Sequence, residues 1–335
     1  MSKNSRLNII KKIERKRKSK VIVYITGDRR GLESRIATDI FPFVLEHLEY
    51  IGDVKKIDLF LYTVGGITIA GTGLVALIRE YCENFSVLIP FKAHSAGTLI
   101  ALGADSIVMN KVTQLSPVDP SVQSPYGQQI PGQQSVPVSV EDVIGYLDLA
   151  REEANIKDDN AMSNVFKELS SKVHPLTLGS VFRARNQIVM LATQLLMRHM
   201  GEEQSAKVKK IVGRLTRELY SHDYIIGRKE AKDILGLNVE DADEDLTKWI
   251  WQLYKEYEVL LELNTPLAPA LLLGDREEGS FIFNRAIIES IFRTDAFQTS
   301  QTFKKVQVNQ PGIPQPVTSY QGNIMFEQWK TGVDI

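Results

Sequence analysis

The sequence predicts an α/β protein built on a parallel sheet. Residues 20–110 alternate β-rich runs with helical patterns. Three strand-helix units follow one another there, the arrangement that lays parallel strands under crossover helices. With 335 residues, 43% hydrophobic content and a formal net charge of −1, the chain can bury a large core.

The first strand is KVIVYITG (20–27). Apolar residues at helical spacing follow in IATDIFPFVLEHLEYIG (36–52), with the regular helix beginning near Pro42. KIDLFLYTVGG (56–66) is the second strand and ends in two glycines. A helix through AGTGLVALIREYCE (70–83) leads to a third strand, NFSVLIPFKAH (84–94), then to a helix from SAGTLIALGA (95–104) and a short strand SIVMN (106–110). Residues 121–138 are rich in Gln, Pro, Ser and Gly and read as a mobile loop. Helices resume at 140–154, across 181–220 and through 247–263, and residues 269–284 read as a hairpin. The resulting organisation is a basic arm (1–19), a main domain (20–240), a helix and hairpin extension (241–308) and a Pro-rich, extended tail (309–335).

The arm, MSKNSRLNIIKKIERKRKSK, lacks the apolar core of an export signal and reads as a solvated amphipathic helix, with contact to a membrane surface or nucleic acid as the alternative. No apolar run is long enough for a membrane span. The single cysteine, Cys82, has no disulfide partner and reads as a buried thiol, which fits a reducing cytoplasm. The histidines and Cys82 show no metal-ligand spacing, and TVGGITIAGTG lacks the Gly-Lys-Ser/Thr ending of a phosphate-binding loop. Neither metal nor cofactor is expected, nor a nucleic-acid partner.

The chemistry concentrates at KAHSAGTLIALGAD (92–105). Ser95 stands where a strand turns into a helix, among unpaired first-turn amides. The bland reading is a helix N-cap; the other is a nucleophile, for which Ala96 and Gly97 leave room for a carbonyl. The glycines of TVGG (63–66) serve equally a turn or a close backbone approach to a ligand.

Together, LFLYTVGGITIAGTGLVALIREY (59–81) and KAHSAGTLIALGADSIVMNKVTQLSPVDPSV (92–122) resemble the Clp-fold serine proteases. The wording is most similar to the signal peptide peptidase A branch and to the SDH (serine dehydrogenase proteinase) family. YSHDYIIGRKEAKDILGL (220–237) resembles the downstream segment of the latter. The resemblance implies a Clp/crotonase-like fold of repeated β-β-α-type units with a helical extension. It places the nucleophile on Ser95, the oxyanion amides on Gly66 and Ala96, and the remaining triad roles on Asp119 and His174, in the Ser, Asp, His order of the SDH branch. An α/β-hydrolase elbow is a poor match because Ala93 holds its first glycine position.

Alternatives stay open for each partner. Asp119 before Pro120 is an ordinary turn aspartate, and His174 before Pro175 an ordinary loop or helix-entry residue. Lys172 is the other candidate base, by analogy with a Ser-Lys dyad, although SSKVHP offers no apolar pocket to strip its proton. His94 reads as a wall of the cleft, His47 and His199 as structural, His222 beside Asp223 as a remaining contender, and Asp105 as a helix-end residue. The expected activity is peptide hydrolysis on peptides or unfolded segments by a homo-oligomeric ring. An acyl-CoA hydratase or isomerase on the same scaffold, and an inactive oligomeric scaffold, are the competing classes.

Overall fold

The computed structural model describes residues 3–118, 121–122, 138–219, 221, 223–309 and 316–335. The chain divides into two compact units: Met1–Gln114 with Asn238–Ile335, and Leu115–Leu237.

The first unit runs α1 (Lys3–Arg17), β1 (Lys20–Thr26), α2 (Phe41–Ile51), β2 (Val54–Tyr62), α3 (Thr68–Arg79), β3 (Cys82–Ile89), β4 (Lys92–Ala93), α4 (Ala96–Leu102) and β5 (Ser106–Met109), and ends at the two-residue strand β6 (Gln114–Leu115). In the second unit, β7 (Ser121–Val122) pairs antiparallel with β8 (Val138–Ser139), followed by α5 (Val140–Asp148), α6 (Asp159–Lys172), α7 (Pro175–Met200), α8 (Ser205–Gly213) and β9 (Ile226–Gly227). The first unit then resumes with β10 (Val239–Asp241), α9 (Glu244–Leu260), α10 (Pro269–Leu273), β11 (Glu278–Glu289), β12 (Thr294–Val308) and β13 (Val317–Lys330).

One eight-stranded sheet carries the first unit, in the order β10-β5-β3-β2-β1-β11-β12-β13. The five strands from β10 to β1 are mutually parallel, and β11 to β13 add to them antiparallel. This is the α/β class with a parallel core that the strand-helix alternation predicts. The order β1, β2, β3, β5 steps in one direction, so right-handed crossovers put α2, α3 and α4 on a single face. The other face takes α1 and α9. Val21, Val23 and Ile25 alternate along β1 toward it and pack with Ile9, Ile10 and Ile13 of α1 and with Leu246, Ile250, Leu253 and Tyr257 of α9. In the second unit α7 buries Thr177, Val181, Ile188, Ala192, Leu195 and Leu196, a stripe at helical spacing, and packs with α8.

Four expectations differ from what is found. The arm is no solvated helix, because Arg6, Ile9, Ile10 and Ile13 of α1 are buried. Residues 269–284 do not form a hairpin; α10 turns into β11, whose hairpin partner is β12. Residues 317–330 of the expected tail form β13, paired along its length with β12. The extension joins the main sheet, and the boundary at 240 falls inside β10. Of the loop at 121–138, residues 123–137 lie outside the described residues.

Candidate active site

The parallel strands β1 and β2 end side by side at Thr26 and Tyr62, the end of an open α/β sheet where ligands bind. A buried hydroxyl pair closes this end: Thr26 Oγ1 donates to Thr63 Oγ1 at 2.7 Å, which also accepts the Gly65 N–H at 2.9 Å. Thr63 then lays β4 alongside, its N–H donating to Lys92 O at 3.0 Å and its carbonyl accepting the His94 N–H at 3.1 Å. The strand-to-helix corner is thereby fixed to the end of β2.

Ser95 sits at that corner, half-buried, with φ +51° and ψ −112°. This decides against the N-cap reading. An N-cap residue is extended and its hydroxyl accepts a first-turn amide, whereas Ser95 has positive φ and makes no capping bond to α4. Such a conformation in a non-glycine residue costs on the order of 1–3 kcal/mol and persists only where the surroundings impose it.

The surroundings are the glycines. At Gly65 (φ +106°) a Cβ would lie 2.8 Å from Ser95 Cβ, 3.0 Å from His94 O and 3.4 Å from the Ala96 nitrogen, so the two turns touch backbone to backbone. At Gly66 a Cβ would fall 2.2 Å from Ile36 O. The main chain there is locked by Ile36 N–H to Gly65 O (2.9 Å) and Ile67 N–H to Ile36 O (2.8 Å). At Gly97 a Cβ would meet Thr63 Cγ2 at 2.5 Å. Among the described residues, no main-chain bond engages the N–H of Gly66 or of Ala96, while the N–H groups of Gly65, Ile67 and Gly97 are all used. The TVGG and KAHSAG stretches thus form one feature: a strained hydroxyl beside two amide-bearing turns.

Sequence reasoning missed the ion pair beneath this feature. Lys92 Nζ lies 2.7 Å from Asp28 Oδ2, and Tyr62 donates its hydroxyl to Asp28 Oδ1 at 2.7 Å. Burial and the Asp28 charge push the Tyr62 phenol well above its usual range, so it stays a donor. The pair ties β4 to the end of β1, three residues before Ser95. Neither residue carries a periodic or motif signal, because the contact exists only once β1 and β4 are brought together.

His174 belongs to the second unit, where it is exposed and caps α7, its Nδ1 accepting the Leu176 N–H at 3.2 Å. Lys172 is exposed, 3.8 Å from Glu168, with no apolar pocket around it. Asp119 and His222 lie outside the described residues. Asp105 takes the helix-end role, accepting from Arg79 (3.0 Å) and the Phe85 N–H (2.7 Å). A second set of serine, histidine and aspartate was not foreseen: His47 Nδ1 lies 2.8 Å from Ser290 Oγ, and its Nε2 lies 3.4 Å from Asp295 Oδ2. All three are sealed, at 0%, 1% and 0% exposure, so no substrate reaches that serine. Among the described residues no group of three His, Cys, Asp or Glu side chains is placed to hold a metal, and no helix is long and apolar enough to cross a membrane.

An α/β fold with a strained serine at the carboxyl end of its parallel strands is the setting in which the comparisons with known proteins are read. Residues 1–131 match the family described as ClpP-like SDH-type serine proteinase, in agreement with the resemblance read from the two motifs. Two uncharacterized proteins of Methanocaldococcus jannaschii are similar, one at 29% identity over 75% of this chain and 79% of its own length, the other at 28% over 70% and 71%. Among solved structures, a serine-to-alanine mutant of the 1510-N membrane-bound stomatin-specific protease is 18% identical over 68% of this chain and 83% of that chain, with a TM-score of 0.39. ClpP1 from Listeria monocytogenes is 16% identical over 70% of this chain and 97% of that chain, with a TM-score of 0.34.

Proposed function

We propose that this chain is a serine peptidase in which Ser95 forms the acyl-enzyme. The observation that carries the reading is the Ser95 backbone: a non-glycine residue at φ +51°, half-exposed, uncapping, and held against the Gly65–Gly66 turn. A serine that merely ended a strand or began a helix would need no such strain. The family match over residues 1–131 supports the same class.

In this mechanism Ser95 Oγ attacks the scissile carbonyl and the N–H groups of Gly66 and Ala96 receive the developing oxyanion. His174, oriented by Asp119, takes the hydroxyl proton and returns it to the leaving amine; water then releases the acyl group by the reverse sequence. Lys172 is the rival base. Its exposure beside Glu168 speaks against it, since a lysine must be desolvated to give up its proton near neutrality. Substrates are short peptides or unfolded segments, and the working form is a cytoplasmic homo-oligomer without cofactor.

A fluorophosphonate probe tests the reading. Labelling of the wild-type chain, its loss in Ser95→Ala and its persistence in Ser290→Ala are expected, with peptide hydrolysis falling roughly a millionfold in Ser95→Ala alone. His174→Ala should fall comparably while Lys172→Ala stays active. Labelling that survives Ser95→Ala would refute the assignment.

A further inference from the structure

At the other end of the parallel strands, a cleft of about 360 Å³ opens where α1 ends and β1 and β2 begin. Arg15, Lys18, Lys20, Lys55 and Lys56 line it, with Glu14 as the one carboxylate. Positive side chains at a helix C-terminus are commonplace because they oppose the helix dipole, and that accounts for Arg15. It does not account for Lys20, Lys55 and Lys56, which come from the starts of two strands.

The cations of this region sort by direction. Lys16 and Arg17, on the same turn of α1, are committed to carboxylates: Lys16 to Asp243 at 2.6 Å, Arg17 to Asp58 at 2.6 Å and to Glu240 at 2.9 Å. Among the described residues no carboxylate lies at ion-pair distance from Arg15, Lys18, Lys20 or Lys55, and Lys56 reaches Asp58 only at 4.0 Å. Glu14 turns to the main chain and accepts the Val21 N–H at 3.1 Å. The cations that face the cleft are therefore the ones without a close ion pair, and Glu14 is the one carboxylate set against the five of them. Gathering five cations in a concavity costs self-repulsion and raises a strong local positive potential, which an anion would relieve.

We propose that this cleft binds a ligand carrying two or more phosphate groups. A single carboxylate would leave most of the charge uncompensated, whereas each phosphate brings about one to two negative charges and several acceptor oxygens. Lysine ammoniums meet it as point charges, and Arg15 adds a forked donor. The source is either a free oligophosphate or a multiply phosphorylated lipid headgroup. β1 spans seven residues, so at roughly 3.3 Å per residue the cleft lies about 20 Å from the strand ends that carry the Ser95 turn. It is thus an effector or tethering site, independent of the peptidase reading.

The test is isothermal titration of the full chain with sodium tripolyphosphate at physiological ionic strength, set against Lys18→Gln/Lys55→Gln. Both side chains are exposed, and a thermal melt verifies that the variant is folded. Saturable binding by the wild type, weakened at least about tenfold in the variant, is expected, because two ammonium donors of charge-assisted hydrogen bonds are removed. Flotation with vesicles of phosphatidylcholine, with or without phosphatidylinositol bisphosphate, separates the sources. Capture that tripolyphosphate competes away assigns the headgroup, and tripolyphosphate binding without capture assigns the free ligand. The proposal falls if tripolyphosphate shows no saturable binding, or binds the folded variant as tightly as the wild type.

Discussion

At the scale of single residues, the glycines explain the serine. Gly65 holds φ +106° with no room for a methyl group, since a Cβ would press on Ser95 Cβ at 2.8 Å. Gly65→Ala should therefore displace the Ser95 turn. A displacement of about 1 Å lowers kcat on the order of 100-fold, with KM little changed, in steady-state kinetics on a fluorogenic peptide. Cys82 gives a second residue-level outcome. Burial pushes its thiol up to about 11, and its Sγ donates to Ile78 O at 3.5 Å. Alkylation by iodoacetamide at pH 8 should be slow in the folded chain and fast in urea, because only the thiolate reacts. Ser95 itself was legible as a candidate from its position between strand and helix, and its strain was not. Backbone dihedrals at a corner follow from what packs on it, here Gly65 and the Thr63 ladder, which are remote from the five residues around the serine.

At the scale of elements, β1, β2, β3 and α2, α3, α4 fall where apolar periodicity puts them. α1 does not follow its composition. A helix with seven Lys or Arg over residues 3–17 invites a solvent-exposed reading, yet one stripe of it docks on the sheet through Ile9, Ile10, Ile13 and Arg6. Arg6 is 2% exposed; its Nε lies 2.9 Å and its Nη2 3.0 Å from the two oxygens of Glu289, which is 0% exposed. Tyr257 of α9 and Thr294 of β12 also donate to that carboxylate. α1, α9 and the β11–β12 hairpin are thereby tied to one buried charge. Arg6→Ala leaves it uncompensated and should cost about 3–5 kcal/mol in urea denaturation. The double change Arg6→Met/Glu289→Leu should cost less than the single one, because it removes both charges.

At the scale of the whole molecule, acid sensitivity follows from carboxylates held charged. Burial acts to raise the Asp295 carboxyl, but the His47 ring 3.4 Å away and hydrogen bonds from Arg293 (2.7 Å) and the Gly332 N–H (3.0 Å) outweigh it and hold the group below its usual range. Glu240 is likewise held down against burial, by Ser106 and Arg17. Both groups bind protons less readily folded than unfolded. Their stabilisation is complete above the ordinary carboxyl range and is lost as pH falls below about 4. Thermal melts should show Tm dropping between neutral pH and pH 3, with a shallower slope in Asp295→Asn.

What the sequence by itself determined is the α/β class, the order of its first strands and helices, and the pairing of a glycine turn with a serine corner. All of these depend on local periodicity and on residues a few positions apart. Only the tertiary structure decided that α1 is core, that residues 317–330 close the sheet as an edge strand, that Lys92 meets Asp28, and that one serine beside a histidine is sealed while Ser95 is reachable. Each of those outcomes is set by contacts between segments far apart in the chain, whose energy comes from burial and from the pairing of charges that folding desolvates.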